Sequence, residues 1–174
     1  MKVVLGVTGS IAAYKACELV RLFVKRGDEV HVVMTEHARA FVTPLTFQTL
    51  SRNPVECDLF DDPRDWKPGH ISLAAAADLA VVAPATANIL AKMAHGIADD
   101  LLSSTLLATK APVVVAPAMN TGMWENPATQ ANVAALAARG VRVVQPGTGE
   151  LACGTSGTGR MAEPSEILSL CCLP

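Results

Sequence analysis

The sequence has few aromatic residues, few charges and no long apolar run. Aromatic side chains make up 4% of its 174 residues although half of the residues are apolar, so alanine and valine supply most of the apolar bulk. This composition suits helices packed closely on a buried sheet rather than a sandwich of large side chains. The formal charge of −2, with no run of like charges, argues against a surface for nucleic acid or anionic membrane.

The apolar segments predict neither a membrane span nor a signal peptide. Asp78, Pro84 and Asn88 interrupt the best candidate for a span, which leaves no stretch of about 18 uncharged apolar residues. The first residues, MKVVLGVTGS, carry one lysine and a short apolar run that ends at a glycine turn, as a first strand does. We therefore expect a cytoplasmic protein with no membrane partner.

Cysteine and histidine show no ligand spacing. The five cysteines, at positions 17, 57, 153, 171 and 172, are odd in number and include no C-x-x-C pair. The four histidines, at positions 31, 37, 70 and 95, are not spaced with them or with carboxylates as metal ligands are. We expect neither a disulfide framework nor a metal site, and a reducing compartment.

Short apolar runs alternate with segments of helical period. The runs predict strands at 2–7, 29–34, 78–84, 111–117 and 141–145, and several are continuously apolar, as parallel strands covered on both faces must be. The segments between them predict helices within 10–27, 85–110 and 126–140. The alternation indicates one α/β domain over residues 1–174 with a central parallel sheet.

Ligands of such sheets bind beyond the carboxyl ends of the strands, so the residues that follow each strand are the candidates for a site. Gly6-x-x-Gly9 turns from the first strand into a helix that we expect to begin at Ser10. This turn either holds a mononucleotide phosphate or is a plain strand-to-helix turn capped by serine. It lacks the G-x-G-x-x-G spacing of a dinucleotide site.

The third and fourth strands both end in Ala-Pro-Ala. After the first of these, Thr86 and Asn88 open a helix, which is explained either by an N-cap or by a ligand. After the second, Asn120 offers an amide for a carboxylate or a flavin edge. The neighbouring Met123 and Trp124 either pack on a planar ring or make core or oligomer contacts, which is the default for apolar residues.

Two further residues could carry chemistry. His70 follows a Pro-Gly turn at a helix start, where a histidine is either a cap or surface residue or an acid–base group. Cys153 lies in a polar glycine-rich stretch, GELACGTSGTGRMAEP, whose four glycines and Arg160 predict a flexible flap over about 146–163 that closes on an anionic ligand. An exposed thiol there could donate a proton or act as a nucleophile.

Four segments together resemble the homo-oligomeric flavin-containing cysteine decarboxylases, in order over about residues 2–166. They are GVTGSIAAYKA, PATANILAKMAHGIADDLL, APAMNTGMWENPATQ and the glycine-rich stretch around Cys153. The resemblance implies a Rossmann-like (flavodoxin-like) three-layer sandwich that binds FMN. In that family the substrate's cysteine is oxidised to a thioaldehyde, CO₂ leaves, and the enethiolate is then reduced and protonated.

The resemblance also implies roles for individual residues. His70, Asn120 and Cys153 would be catalytic, with Asn120 on the substrate carboxylate and Cys153 as the proton donor. Further substrate contacts would come from Ala152, Arg160 and Met161. The FMN contacts would be Gly9, Ser10, Ile11, Thr35, Phe41, Pro84, Ala85, Thr86, Ala87, Asn88, Ile89, Ala118 and Met119.

The form of the flap resembles the coenzyme A branch of the family, which converts 4′-phosphopantothenoylcysteine to 4′-phosphopantetheine. That branch implies a homotrimer or homododecamer, with FMN and His70 brought together from neighbouring subunits, and a possible synthetase domain or chain as partner. Three alternatives remain: a peptidyl-cysteine decarboxylase of lantibiotic maturation, a flavin prenyltransferase on the same fold, and a non-catalytic regulatory flavoprotein. The prenyltransferases lack the PAMN segment and the cysteine-bearing flap, and the regulatory proteins carry acidic tails.

Overall fold

Six parallel strands form the centre of the computed structural model, which describes residues 1–59, 69–152 and 154–172. The strands are β1 (Lys2–Val7), β2 (Glu29–Met34), β3 (Val55–Glu56), β4 (Leu79–Ala85), β5 (Val113–Pro117) and β6 (Arg142–Val143). Their order in the sheet is β3-β2-β1-β4-β5-β6, and every pairing is parallel. This is the doubly wound Rossmann order, which reverses direction between β1 and β4. The predicted Rossmann-like α/β fold is confirmed.

Helices cover both faces of the sheet. One apolar cluster joins the sheet to α1 (Ala13–Arg26), α2 (Pro44–Ser51) and α8 (Pro164–Leu170). The other cluster joins it to α3 (Gly69–Ala76), α4 (Ala87–His95), α5 (Leu101–Ala108) and α7 (Pro127–Ala138). The result is a three-layer sandwich. A 3-10 helix (Glu36–Ala40) and the short α6 (Thr121–Trp124) complete the helical elements of the described residues.

Small side chains allow this close packing. All seven residues of β4 are buried, and a Cβ added at Gly6 would lie 2.5 Å from a methyl carbon of Leu102 on α5.

The helix α1 ends at Gly27, whose left-handed conformation (φ 93°) directs its N–H to the carbonyls of Phe23 and Val24. Among the described residues, no helix has both the length and the apolar character needed to cross a membrane.

The helical segment expected over 85–110 is two helices, not one. The helix α4 stops at Gly96 in a left-handed conformation, and α5 begins five residues later with Asp100 as its N-cap. Asp100 and Ser103 form a reciprocal capping box, in which each side chain accepts a hydrogen bond from the other residue's backbone N–H. The prediction failed here because it followed the apolar period through these stop and start signals.

The beginning of α1 also differs from the prediction. The helix starts at Ala13, with Ala12 as its N-cap, so Ser10 lies in the preceding turn and not at the helix cap. The Ser10 hydroxyl accepts a hydrogen bond from the Ala12 N–H (3.2 Å), while the Ser10 N–H donates to the Thr8 carbonyl (2.8 Å). Residues 9–12 therefore form a tight, internally bonded turn between β1 and α1.

The region predicted as a flap contains regular structure. Strands β7 (Gly147–Glu150) and β8 (Ser156–Arg160) pair antiparallel into a hairpin, with a register shift between Gly147 and Thr148. The hydroxyls of Thr148 and Thr158 lie 3.0 Å apart across it. We refer to residues 147–160 as the hairpin.

Candidate functional site

The carboxyl ends of β1, β4 and β5 are hydrogen-bonded to one another. The buried Thr8 hydroxyl donates to the Pro84 carbonyl (2.7 Å) and accepts from the Thr86 N–H (3.1 Å). The Ala118 N–H donates to the Ala85 carbonyl (3.1 Å). We call these five residues, Thr8, Pro84, Ala85, Thr86 and Ala118, the floor. It lies where the strand order reverses, the usual place for a ligand in this fold.

A cavity of about 600 Å³ opens on the floor beside α4. We call it the α4 cavity. Thr86 is the N-cap of α4, and its hydroxyl accepts a hydrogen bond from the Ile89 N–H (3.4 Å). The N-cap was one of the two interpretations of this residue from the sequence. The α4 cavity brings together seven of the residues expected to contact FMN, namely Gly9, Thr35, Phe41, Thr86, Ala87, Asn88 and Ile89.

A second cavity, of about 590 Å³, lies between the floor and the hairpin. We call it the hairpin cavity. The expected substrate residues Asn120, Ala152, Arg160 and Met161 line it, together with Ser10, Ile11, Ala118 and Met119 from the expected FMN set. The turn over residues 9–12 separates the two cavities, because Gly9 faces the α4 cavity and Ser10 to Ala12 face the hairpin cavity.

The hairpin docks on the segment after β5 by close backbone contact. The Met119 N–H donates to the Gly159 carbonyl (3.0 Å). A Cβ at Gly159 would collide with the Met119 carbonyl oxygen, and one at Gly157 would collide with the Thr121 side chain. Gly157 and Gly159, two of the glycines that predicted a flexible flap, are therefore needed for the close contact between the hairpin and the segment after β5.

Asn120 is held in a defined orientation at the cavity wall. Its Oδ1 accepts a hydrogen bond from the Gly122 N–H (2.8 Å), which makes Asn120 the N-cap of α6. The side chain is exposed, and the bond identifies Nδ2 as its donor end. An amide N–H presented in this way is suited to a carboxylate oxygen.

The remaining predicted residues are placed differently. Pro84 and Ala85 are buried within β4 and line neither cavity. His70 is the second residue of α3 and also lines neither cavity. Its Nδ1 is buried without a hydrogen-bond partner among the described residues. Within the described part of one chain, His70 is therefore not brought together with Asn120. Cys153 lies outside the described residues.

Three charged residues on the wall of the α4 cavity were not predicted. Lys92 Nζ lies 2.7 Å from Asp99 Oδ1 and 2.8 Å from Asp100 Oδ2. Burial is the largest single influence, lowering the pKa of Lys92 and raising the pKa of Asp100, but the hydrogen bonds and opposite charges around each group together outweigh it. The pKa of Lys92 is accordingly raised and that of Asp100 lowered, so both are charged. The Gly96 stop and the Asp100-x-x-Ser103 cap were the sequence signals of this turn.

No group of three or more histidine, cysteine, aspartate or glutamate side chains suited to a metal ion occurs among the described residues. The polar groups that the described residues present around the two cavities include hydroxyls, amides, backbone N–H groups and ion pairs. Such groups suit an organic ligand with a phosphate or carboxylate.

The sequence and the fold both match known proteins. A family model described as Flavoprotein matches residues 1–173. The coenzyme A biosynthesis bifunctional protein CoaBC of Vibrio parahaemolyticus is 50% identical over 170 residues, which are 98% of this chain and 43% of that protein. The Escherichia coli K12 protein of the same name is 50% identical over 169 residues, or 97% of this chain and 42% of that protein. The chain thus spans less than half the length of these relatives.

Solved structures resemble the whole chain. A cysteine-to-serine mutant of PPC decarboxylase complexed with pantothenoylaminoethenethiol has a TM-score of 0.87 and 35% identity, covering 98% of this chain and 95% of that one. The FMN-dependent cysteine decarboxylase SpaF has a TM-score of 0.83 and 33% identity, covering 98% and 97%. The resemblance inferred from the four sequence segments is confirmed, and the chain belongs to the flavoprotein family.

Proposed function

We propose that this protein decarboxylates the cysteine end of 4′-phosphopantothenoylcysteine with FMN as cofactor, giving 4′-phosphopantetheine in coenzyme A biosynthesis. The main support is the hairpin cavity, which places a donor amide at Asn120 beside a second cavity suited to a flavin. The match to the coenzyme A biosynthesis proteins, at 50% identity, covers 97–98% of the chain. The net reaction replaces the carboxyl group by a proton and releases CO₂.

The α4 cavity fits FMN in size and chemistry. Its volume of about 600 Å³ is within the range of about 300–1,000 Å³ for small-ligand sites. Gly9 packs so closely against His37 that a Cβ there would clash, so the turn presents its backbone at the cavity edge. The N-terminus of α4 and the hydroxyls of Thr35 and Thr86 suit a phosphate or a polar ring edge.

Apolar side chains at the cavity edges suit a flat ring. Ile11 is 56% exposed and Phe41 48% exposed, unusually high for side chains of this size next to cavities. When bound, FMN supplies a two-electron oxidation and the matching reduction, so that CO₂ is lost without net redox change. The chain's residues then have to bind, orient and protonate the substrate.

Asn120 is assigned to the substrate carboxylate. Its Oδ1 is engaged by the Gly122 N–H, so Nδ2 is the atom that donates to the carboxylate oxygen. Holding that carboxylate fixes the bond that breaks when CO₂ leaves.

Cys153 is assigned as the donor of the final proton. The known complex of a cysteine-to-serine PPC decarboxylase mutant with an aminoethenethiol, a product still lacking two hydrogens, supports a cysteine in the reduction step. The flap position of Cys153 in the sequence, next to Ala152 on the hairpin cavity, is consistent with this role.

His70 is assigned to the site of a neighbouring copy in a homotrimer or a larger assembly of trimers. His70 Nδ1 is buried on α3 without a hydrogen-bond partner among the described residues, and Met123 is exposed at the α4 cavity. Both features support contact with a second copy of the chain. A synthetase that makes the substrate is the expected partner, either as a further domain or as another chain, since the matched relatives are bifunctional.

The test is a decarboxylation assay with matched asparagine variants. Purified protein should carry bound flavin and release CO₂ from 4′-phosphopantothenoylcysteine. Asn120→Asp should lower turnover by about 100-fold or more, because it sets a negative charge against the carboxylate. Asn126→Asp is the control, since Asn126 caps α7 through the same kind of bond (2.9 Å) and lines neither cavity.

Other outcomes would contradict the proposal. A colourless protein would contradict FMN as the cofactor. Release of CO₂ from cysteine-terminated peptides but not from this substrate would favour another member of the family. Equal activity of the two asparagine variants would remove Asn120 from the site.

A further inference from the structure

Lys15 is a largely buried cation at the hairpin cavity. It lies in the first turn of α1, and its side chain is only 13% exposed. Its Nζ lies 2.6 Å from Glu163 Oε1 and 3.5 Å from the Met161 carbonyl. Because a buried charge is costly unless it is paired, Lys15 needs an anion at this position.

Arg160 brings a second cation to the same anion. Its Nη2 lies 3.8 Å from Glu163 Oε1, and its side chain extends across Gly149 on the neighbouring strand of the hairpin. The hydrogen bond from Lys15 holds the pKa of Glu163 below its ordinary value, so this carboxylate is charged. Two cations therefore share one carboxylate, and both line the hairpin cavity.

The position of Glu163 favours an added anion. Lys15 lines the hairpin cavity and the mostly exposed Glu163 does not, so the pair lies with its cation toward the cavity. Glu150 is the acid on the cavity wall among the described residues. The cavity as a whole is thus not strongly positive, and an anionic ligand group is attracted only to the side formed by Lys15 and Arg160.

We propose that Lys15 and Arg160 form the subsite for the phosphate monoester of the substrate. This inference rests on the proposed function, whose substrate carries an anion at each end. Asn120 would hold the carboxylate end, and the Lys15–Arg160 pair would hold the phosphate end. Glu163 acts as the internal counter-ion that orients Lys15 until the phosphate arrives.

An FMN phosphate is the other anion that the pair could meet. The hydroxyls and the α4 N-terminus that suit an FMN phosphate belong to the α4 cavity, on the far side of the turn over residues 9–12. The substrate phosphate is therefore the better match for the hairpin cavity, and the experiment separates the two.

The experiment compares 4′-phosphopantothenoylcysteine with its dephosphorylated form, pantothenoylcysteine. Lys15→Met should raise KM for the phosphorylated substrate at least about 10-fold, the usual scale for losing one charge-assisted bond, and change KM for the dephosphorylated one less than about two-fold. Arg160→Gln should act in the same direction. The exposed Lys25 of the same helix gives the matched control Lys25→Met, which should change neither KM.

Glu163→Gln separates binding from support of the fold. If Lys15 only anchors α8 through this ion pair, Glu163→Gln and Lys15→Met should give the same kinetic pattern with both substrates. The subsite instead requires Glu163→Gln to retain or strengthen the preference for the phosphorylated substrate, because it removes a competing anion.

Three other outcomes would contradict the phosphate subsite or the proposed function. Equal KM changes with both substrates would overturn the subsite. A fall in FMN affinity, measured by flavin fluorescence, with no change in substrate preference would assign Lys15 to FMN. Release of CO₂ by the unmodified protein from neither substrate would overturn the proposed function itself. If Lys15→Met fails to fold, the more exposed Arg160→Gln carries the same comparison.

Discussion

The floor and the hairpin both border the hairpin cavity, but they differ in burial and in the contacts that hold them in place. The floor consists of buried strand ends joined by a buried hydroxyl and backbone bonds, so it has no freedom to move without opening the sheet. The hairpin has exposed strands, a register shift and a dock made by glycines. We therefore expect the floor to stay fixed and the hairpin to undock at a lower free-energy cost than unfolding of the core.

The largest expected effect is in the floor. Thr8→Val removes the hydroxyl that donates to the Pro84 carbonyl and accepts from the Thr86 N–H, so a buried carbonyl and a half-buried N–H lose this partner. We expect a loss of about 2–3 kcal/mol in the free energy of unfolding, measured with urea. The control is Thr158→Val in the hairpin, where the hydroxyl lies 3.0 Å from that of Thr148 near solvent and the loss should stay below about 0.5 kcal/mol. Similar losses in both variants would erase the contrast between the two regions.

The second effect is confined to the hairpin. Gly159→Ala drives a methyl group against the Met119 carbonyl and should undock the hairpin at a cost of about 1–2 kcal/mol. Since the core is not involved, global unfolding should change little, while the Met119 amide should exchange with solvent about 10-fold faster. Gly147→Ala is the control, because its nearest neighbour, the Arg160 carbonyl, is 3.9 Å away. Unchanged exchange at Met119 would mean that the dock tolerates the methyl group.

The smallest effect concerns the turn between α4 and α5. Asp100→Asn keeps an acceptor for the α5 cap but loses the charge opposite Lys92, so we expect a loss of about 0.5 kcal/mol at neutral pH. The folded state lowers the pKa of Asp100, so its contribution is present at neutral pH and is lost as the pH falls below about 4. The variant should therefore lose less stability on acidification than the parent. Asp99→Asn, at the more exposed partner of Lys92, should show a smaller change, and a larger one would reverse the ranking of the two carboxylates.

The sequence predicted the floor better than the hairpin for a physical reason. Buried strands leave a continuous apolar pattern, and stops such as Gly27 and caps such as Thr86 act within a few residues. Contacts between distant residues leave no such pattern. The dock of Gly159 on Met119 looks in the sequence like any flexible glycine, and the approach of Lys15 to Glu163 joins residues 148 positions apart.

The site residues show the same division. The residues after β1, β4 and β5 could be predicted because parallel strands end at one edge of the sheet. Lys92, Asp99 and Asp100 were missed because 85–110 was treated as one segment of helical period, without the turn that brings these three residues together. His70 was predicted as a catalytic residue but lines neither cavity, and a contact with a second copy of the chain, as proposed above, would leave no local pattern in the sequence.

Two contacts join the chain before and after α8 to opposite ends of α1. Glu163 meets Lys15 at the cavity end of α1, and Cys172 accepts a hydrogen bond from Arg26 (2.7 Å) at the other end. Eleven residues of helix, about 16 Å, separate the two contacts. Burial raises the pKa of the adjacent Cys171 to about 11, whereas Cys172 is exposed, so a thiol-directed dye would react at Cys172 ahead of its neighbour. A fluorophore on Cys172 would therefore detect the separation of α8 from α1. It would lie at the end of α1 far from the hairpin cavity and would not occupy that cavity.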